Sequence, residues 1–388
     1  MQEALARHLA WWGLRAFDSD QAYFQWQRQA LSPADLSDLH RNIEHKRRGS
    51  PEDEVAFYDA TARSTILPVL YSQRCDYYRT VGACVAERIG SAGTVLDFGC
   101  GVGILTTFYA RHYPDTKFVG IDRSAGSITE AQARAKALGL ANIRFECVDV
   151  TQQALSGVYD CVVATHALVQ AEQDPGLPSR DWTTFERSSD PVLQQAFEER
   201  TGIGARLDRL SAALAPNGRL IVCEKTRQLA RRVPFQRALA GRGFRLVEPP
   251  EPVRYRLVGE IADDGPFYVV QRHAQTAIVW DERPEPDEGP AFDQAGLPAR
   301  SSTPDEPLYE NHWPSAQRTW EQFNGRTVIQ ETTRHETDGR QLHAELGLAQ
   351  GYAYLYCANT FDQRQFVVMP AEQRNALEAY YREILASS

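Results

Sequence analysis

The residues with the clearest chemical meaning stand at the end of one apolar run. Residues 95–103 read VLDFGCGVG: Val95 and Leu96 are β-formers, Asp97 follows, and Gly99, Gly101 and Gly103 alternate before the helical apolar spacing of Ile104, Leu105 and Phe108. A strand passing through alternating glycines into a helix lets backbone approach a ligand closely and turns free N–H groups toward it. Tyr113 and Pro114 stop that helix. Residues 117–122, KFVGID, read as a second short strand. It ends in Asp122, roughly 20 residues beyond the glycines, where a ribose hydroxyl pair needs an acceptor.

The surrounding elements must hold these groups in place. From residue 94 to 273 strand and helix patterns alternate, which predicts a doubly wound, mainly parallel sheet. Ser127 with Glu130 reads as a capping box for a helix that Gly139 ends. Residues 143–150 (IRFECVDV) form a third strand carrying Asp149 and Val150, and residues 159–164 (YDCVVA) a fourth, with His166 just past its carboxyl end. Residues 214–223 (LAPNGRLIVC) form a fifth, closed by Glu224, and 244–260 with 267–272 read as a hairpin around Asp263, Asp264 and Gly265.

Residues 1–90 read as a helical cap region. One helix starts at Pro33, residues 45–54 form a charged break, and a second helix runs from Pro68 to Ile89. On that second helix Tyr71, Arg74 and Tyr78 lie at i, i+3 and i+7 and so share a face. Residues 170–202 are too many for a strand connection; polar, proline-punctuated and carrying Trp182 and Phe185, they read as a decorated loop or a lid. Residues 275–308 are a Pro- and acid-rich linker, and 309–388 a small α+β module. In that module a helix at 313–323, strands near 326–334 and 342–348 around Asp338 and Gly339, further strands at 352–356 and 366–369, and a last amphipathic helix are expected.

The stretch Asp97, Gly99, Gly101, Gly103 resembles the E/D-x-G-x-G-x-G wording of class I S-adenosylmethionine (SAM) methyltransferases. A dinucleotide fingerprint needs G-x-G-x-x-G, and here Ile104 stands where its third glycine belongs. The downstream order agrees, with LAPNG close to the family's L-x-P-G-G turn and Asn217 in place of one glycine; the likeness covers about 180 residues. It implies a seven-stranded mainly parallel sheet (domain 91–274) with SAM as cofactor. The backbone of Gly99, Cys100, Gly101 and Gly103 would face the methionyl part. Asp97 would orient the loop and favour the ammonium end. Asp122, with Arg123 beside it, would take the ribose hydroxyls, and Asp149 with Val150 would read adenine.

Methyl transfer is an in-line displacement, so the protein mainly holds donor and acceptor together and excludes water. A hydroxyl, thiol or ammonium acceptor also needs a general base, for which His166 is the best-placed candidate and Glu224 a weaker one. The acceptor pocket is expected from Tyr58, Arg63, Tyr71, Arg74 and Tyr78 and from Trp182 and Phe185. Aromatic walls with guanidinium groups suit a modest-sized planar or anionic small molecule.

Composition bounds the partners. The net charge is −9, from 51 acidic against 42 basic residues, which argues against broad capture of nucleic acid. The seven cysteines show no CxxC spacing and the histidines are dispersed, so no metal site is expected. The first residues have charges in every apolar run, which suggests neither signal peptide nor membrane span and a cytoplasmic protein. The alternatives are a methyltransferase for protein or RNA with the C-terminal module as recognition element, and a non-catalytic SAM binder. The module is also a candidate surface for oligomerisation.

Overall fold

A computed structural model describes residues 1–48, 50–169, 174–285, 289–298, 306–336 and 340–386. The chain divides into two compact units. One comprises Met1–Glu172, Glu198–Arg227 and Gln236–Trp280; the other comprises Gln173–Phe197, Gln228–Phe235 and Asp281–Ser388.

In the first unit the apolar run at Val95 becomes β1 (Thr94–Phe98), with Val95 and Leu96 fully buried. Parallel neighbours lie on both sides, β2 (Lys117–Asp122) and β4 (Tyr159–Thr165). Strands covered on both faces read as continuous apolar runs, which is why this part was legible. β3 (Ile143–Cys147) lies beyond β2, and β5 (Leu214–Cys223) beyond β4. β6 (Arg245–Leu246) and β7 (Glu251–Leu257) both pair antiparallel with β8 (Glu260–Gln271). The order is β3-β2-β1-β4-β5-β8-β6, seven neighbouring strands as expected, with β7 as an eighth strand on β8.

The helices of this part are α1 (Gln2–Trp11), α2 (Asp20–Ala30), α3 (Pro33–Arg48), α4 (Pro51–Thr61), α5 (Leu67–Ser72), α6 (Cys75–Ile89), α7 (Ile104–His112), α8 (Ala125–Ala137) and α10 (Ile203–Ala213), while α9 (Pro191–Thr201) and α11 (Leu229–Gly241) are divided between the two units. Three expectations are corrected. The charged break at 45–54 is short, because Ser50 and Asp53 form a capping box that starts α4 at Pro51. The helix from Pro68 to Ile89 is two helices, since Arg74 (φ −107°, ψ 21°) leaves the helical region. The cap of α8 is Ser124, whose Oγ accepts from the Ser127 N–H at 3.0 Å.

A fourth correction shapes the site. Asp263, Asp264 and Gly265 are not the hairpin turn, which falls at Val258 and Gly259 between β7 and β8. Pairing passes from Val253 with Gly265 to Arg254 with Asp263, leaving Asp264 as the extra residue of a β-bulge. A bulge re-aims a side chain, and a glycine at positive φ serves a bulge as well as a turn. Gly265 has φ +112°, and a Cβ there would lie 2.6 Å from the Arg227 backbone nitrogen.

The second unit is built on an antiparallel sheet in the order β10-β11-β12-β13-β9. Its elements are β9 (Tyr309–His312), α12 (Trp313–Gln322), β10 (Thr327–His335), β11 (Gln341–Ala349), β12 (Tyr352–Asn359), β13 (Arg364–Pro370) and α13 (Arg374–Ala386). Alternate residues supply two apolar clusters, one with Tyr354, Tyr356 and Phe366, the other with Leu355, Met369 and Leu377. The expected turn residues Asp338 and Gly339 lie outside the described residues. Trp182, expected in the acceptor pocket, packs on the first of these clusters and stacks on His343 at 3.6 Å between ring centroids. Nearby, Arg187 pairs with Asp362, and the Ser179 N–H donates to the Thr360 carbonyl at 2.8 Å. No described helix is long and apolar enough to cross a membrane.

Gly265→Ala forces a strained φ and a backbone clash at once, so it should destabilise the first unit by about 1–3 kcal/mol. Thermal melting of the purified variant checks this; an unchanged midpoint would mean that the bulge adapts freely.

Candidate active site

The carboxyl ends of β1, β2 and β4 open on one cleft of about 1220 Å³, counting the space at its mouth. Its floor is the glycine loop. Gly99 has φ +73° and no room for a side chain, because a Cβ would lie 2.4 Å from the Cβ of Ala167. At Gly101 nothing lies within 4 Å of a Cβ position, so the backbone there faces open space.

One end of the cleft is acidic. Asp97 is 5% exposed, and its Oδ2 accepts from the Thr106 hydroxyl at 2.6 Å. Burial pushes its carboxyl up to about 6, against the Thr106 hydrogen bond. No cation pairs with it among the described residues, so a ligand ammonium would complete the site. Asp122 accepts the Gly101 N–H at 2.9 Å on Oδ2 and the Ser124 N–H at 2.9 Å on Oδ1. Each carboxylate oxygen keeps a further lone pair, enough for a hydroxyl pair. Burial raises its pKa too, only partly offset by those backbone hydrogen bonds. Asp149 is held by Thr151, whose N–H (2.9 Å) and hydroxyl (2.6 Å) both donate to Oδ1. Helix α4 covers this end: Glu54 accepts from Arg123 at 2.9 Å, and Asp59 from the Ser124 hydroxyl at 2.6 Å and the Gly126 N–H at 2.8 Å. A buried unpaired carboxylate, a bare glycine backbone and a ribose acceptor in one cleft fit SAM.

The other end is aromatic and cationic. Arg74, at the start of α6, donates from a terminal guanidinium nitrogen to His166 Nδ1 at 2.7 Å. Arginine has no acceptor, so Nδ1 carries the lone pair and the ring proton sits on Nε2. Nε2 lies 2.8 Å from Asp264 Oδ2, which also accepts from the Tyr255 hydroxyl. Tyr77 stacks under the imidazole at 4.8 Å and lies 4.9 Å from the Arg74 guanidinium carbon. Burial pulls His166 down to about 4, despite Asp264.

The expected residues separate cleanly. Asp97, Gly99, Cys100, Gly101, Asp122, Arg123, Asp149, Val150 and His166 line the cleft, as do Tyr58, Tyr71, Arg74 and Tyr78. Gly103 lies behind the loop, packed on Phe145 and Ala131. Arg63 is not brought in: it donates to the Ala60 carbonyl and faces Asp35 at 3.7 Å. Trp182 and Phe185 belong to the second unit, Phe185 lying 4.6 Å from the Arg364 guanidinium. Glu224 is also off the cleft wall. Its Oε1 accepts the Ala167 and Leu168 N–H groups, each at 2.7 Å, so it holds the loop after β4. Burial raises its pKa to about 7, against those hydrogen bonds.

Sequence reasoning missed Tyr77, Thr165 and Arg206, which also line the cleft. Arg206 is 5% exposed and donates to the Leu168 carbonyl at 2.6 Å. A signal for it existed, an arginine on the apolar face of α10 between Ile203, Leu207 and Leu210.

Residues 95–178 match the family model described as a methyltransferase domain. The chain carries a class I SAM-dependent methyltransferase domain. The methyltransferase domain has curated relatives of several kinds. A trans-aconitate 2-methyltransferase from Deinococcus radiodurans is 36% identical over 104 residues, 27% of this chain and 37% of that protein. A malonyl-[acyl-carrier protein] O-methyltransferase from Acetivibrio thermocellus is 34% identical over 70 residues, 18% of this chain and 24% of that protein. A tRNA (guanine-N(7)-)-methyltransferase from Rubrobacter xylanophilus is 29% identical over 126 residues, 32% and 48% respectively. The chain thus spans less than half the length of each of these relatives. Among solved structures, magnesium protoporphyrin IX methyltransferase from Synechocystis PCC 6803 with bound SAM gives a TM-score of 0.36 at 19% identity, covering 52% of this chain and 81% of that one.

Asp97→Asn separates cost from use. The folded pKa of about 6 lies above that of an ordinary aspartate, so protonation favours the fold. That contribution is complete below about pH 4 and lost as pH rises through about 6. At pH 7.5 the Asn variant, which keeps an acceptor for Thr106, should melt no lower than the parent. Its SAM dissociation constant should rise at least about 10-fold for want of the ammonium partner. Unchanged affinity by calorimetry would remove Asp97 from the cofactor site.

Proposed function

We propose that this chain transfers a methyl group from SAM to a small-molecule acceptor. The observation that carries the reading is a single cleft lined both by Asp97 and Asp122 and by Arg74 with Tyr58, Tyr71 and Tyr78. When bound, SAM supplies an electrophilic sulfonium methyl group, and the chain's own residues do the rest. The glycine-loop backbone and Asp122 hold the cofactor in register, Asp97 takes its ammonium, and the tyrosines exclude water around the acceptor.

Two of the relatives are named for acidic acceptors, trans-aconitate and a malonyl thioester, and a third for tRNA. The net charge of −9 gives no footprint for a polyanion, which favours the small-molecule side.

Asp122→Ala should raise the SAM dissociation constant at least about 10-fold with unchanged circular dichroism, since charge-assisted hydrogen bonds to the ribose are lost. The parent should bind SAM and not NAD(P). Methyl-labelled SAM offered to separated small-molecule, RNA and protein fractions of a cell extract should label the first. Label confined to RNA or protein, or binding with no transfer to any fraction, would overturn the proposal.

A further inference from the structure

We infer that the acceptor is a carboxylate, gripped by Arg74 and methylated on oxygen to an ester without a general base; this rests on the small-molecule reading above. Arg74 carries a charge that no carboxylate compensates among the described residues. The Arg74 side chain lines the cleft, yet no carboxylate lies within ion-pair distance of it among the described residues. Its partners are uncharged, the imidazole Nδ1 of His166 at 2.7 Å and the Tyr255 hydroxyl, so its charge is left to a ligand. A guanidinium presents donors in a planar fork that matches a carboxylate bidentately. It is also fixed in aim, because His166 is held by Asp264 and stacked on Tyr77.

The second line of argument is the lack of a base. Neither nitrogen of His166 offers a free lone pair, since Nδ1 accepts from Arg74 and Nε2, 2.8 Å from Asp264 Oδ2, carries the ring proton. Glu224 holds backbone N–H groups behind the wall. Burial keeps the Tyr71 and Tyr78 hydroxyls protonated. An ammonium, thiol or phenol acceptor beside Arg74 would therefore find no free base in His166, Glu224, Tyr71 or Tyr78. A carboxylate, with an ordinary pKa near ~4, is already ionised at neutral pH.

The step balances without proton transfer. A carboxylate oxygen forms the new O–CH₃ bond as the S–CH₃ bond breaks, and that electron pair stays on sulfur. The negative charge of the acceptor and the positive charge of the sulfonium cancel, leaving a neutral ester and a thioether. His166 is then a positioning residue that keeps the Arg74 fork turned to the acceptor.

The test uses the full chain, methyl-labelled SAM, the small-molecule fraction of a cell extract, and a panel of di-, tri- and aromatic carboxylic acids beside matched amines, thiols and phenols. Mild alkali should release the transferred label as volatile methanol, the signature of a methyl ester. Alkali-stable label on nitrogen, sulfur or an aryl oxygen overturns the inference while leaving the small-molecule reading intact; label only in RNA or protein overturns both. On a carboxylate that accepts label, Arg74→Gln should raise the acceptor KM about 10- to 100-fold with SAM affinity unchanged. His166→Asn offers an acceptor oxygen near the place of Nδ1 and tolerates the φ of +54°, so it should keep much of the activity that His166→Ala loses. Equal loss in both His166 variants, or an unaltered KM in Arg74→Gln, speaks against the grip. Should Arg74→Gln fail to bind SAM, the alkali result on the parent still decides.

Discussion

The carboxylate of Asp264 holds two partners at once, the Tyr255 hydroxyl and the His166 imidazole, and the aim of Arg74 follows from that. Asp264 reaches them because β8 carries one extra residue, and its own carbonyl is fixed by the Thr226 N–H at 2.7 Å. His166 sits in the left-handed region, its N–H donating to the Cys223 carbonyl at 2.8 Å at the end of β5. Glu224 then takes the next two N–H groups of the loop. A loop so fully hydrogen-bonded holds an unusual backbone conformation without fraying. This wall of the cleft is thus assembled from the start of α6, the end of β4 and the β7–β8 pair, none adjacent in sequence.

Two groups of opposite charge in the cleft, Asp97 and Arg74, have no charged partner among the described residues. Asp97 is buried beside a hydroxyl alone, and Arg74 beside a neutral ring. Burying charge without a partner works against the fold, and the raised pKa of Asp97 is the direct expression of that cost. Such groups are retained where a ligand completes the pair. A cationic donor and an anionic acceptor would relieve both together.

What was legible in the sequence was local. The glycine loop, Asp122 at the end of β2 and the apolar strands announce themselves because backbone constraint and two-sided burial act on neighbouring residues. Asp263, Asp264 and Gly265 show the limit, since the same residues suit a turn and a bulge and only strand pairing tells them apart. The i, i+3, i+7 argument for Tyr71, Arg74 and Tyr78 assumed one helix; the chain breaks at Arg74, yet all three still line the cleft. Trp182 failed for a different reason. Its partners His343, Trp320 and Tyr356 lie at least 138 positions away, where periodicity carries no information.

A wall of fixed polar groups suits one kind of reaction better than another. Where a proton must move, a group in the wall has to change charge, and the neighbours that held it must reorganise. Here the imidazole is pinned between a guanidinium and a carboxylate, and any gain of a proton would set an N–H against the Arg74 N–H at 2.7 Å. Preorganised dipoles and charges lower a barrier most when they need not move as the reaction proceeds. Transfer of a methyl group between a sulfonium and an anion creates no new charge and cancels two. The network around Arg74 can then do its work by staying as it is.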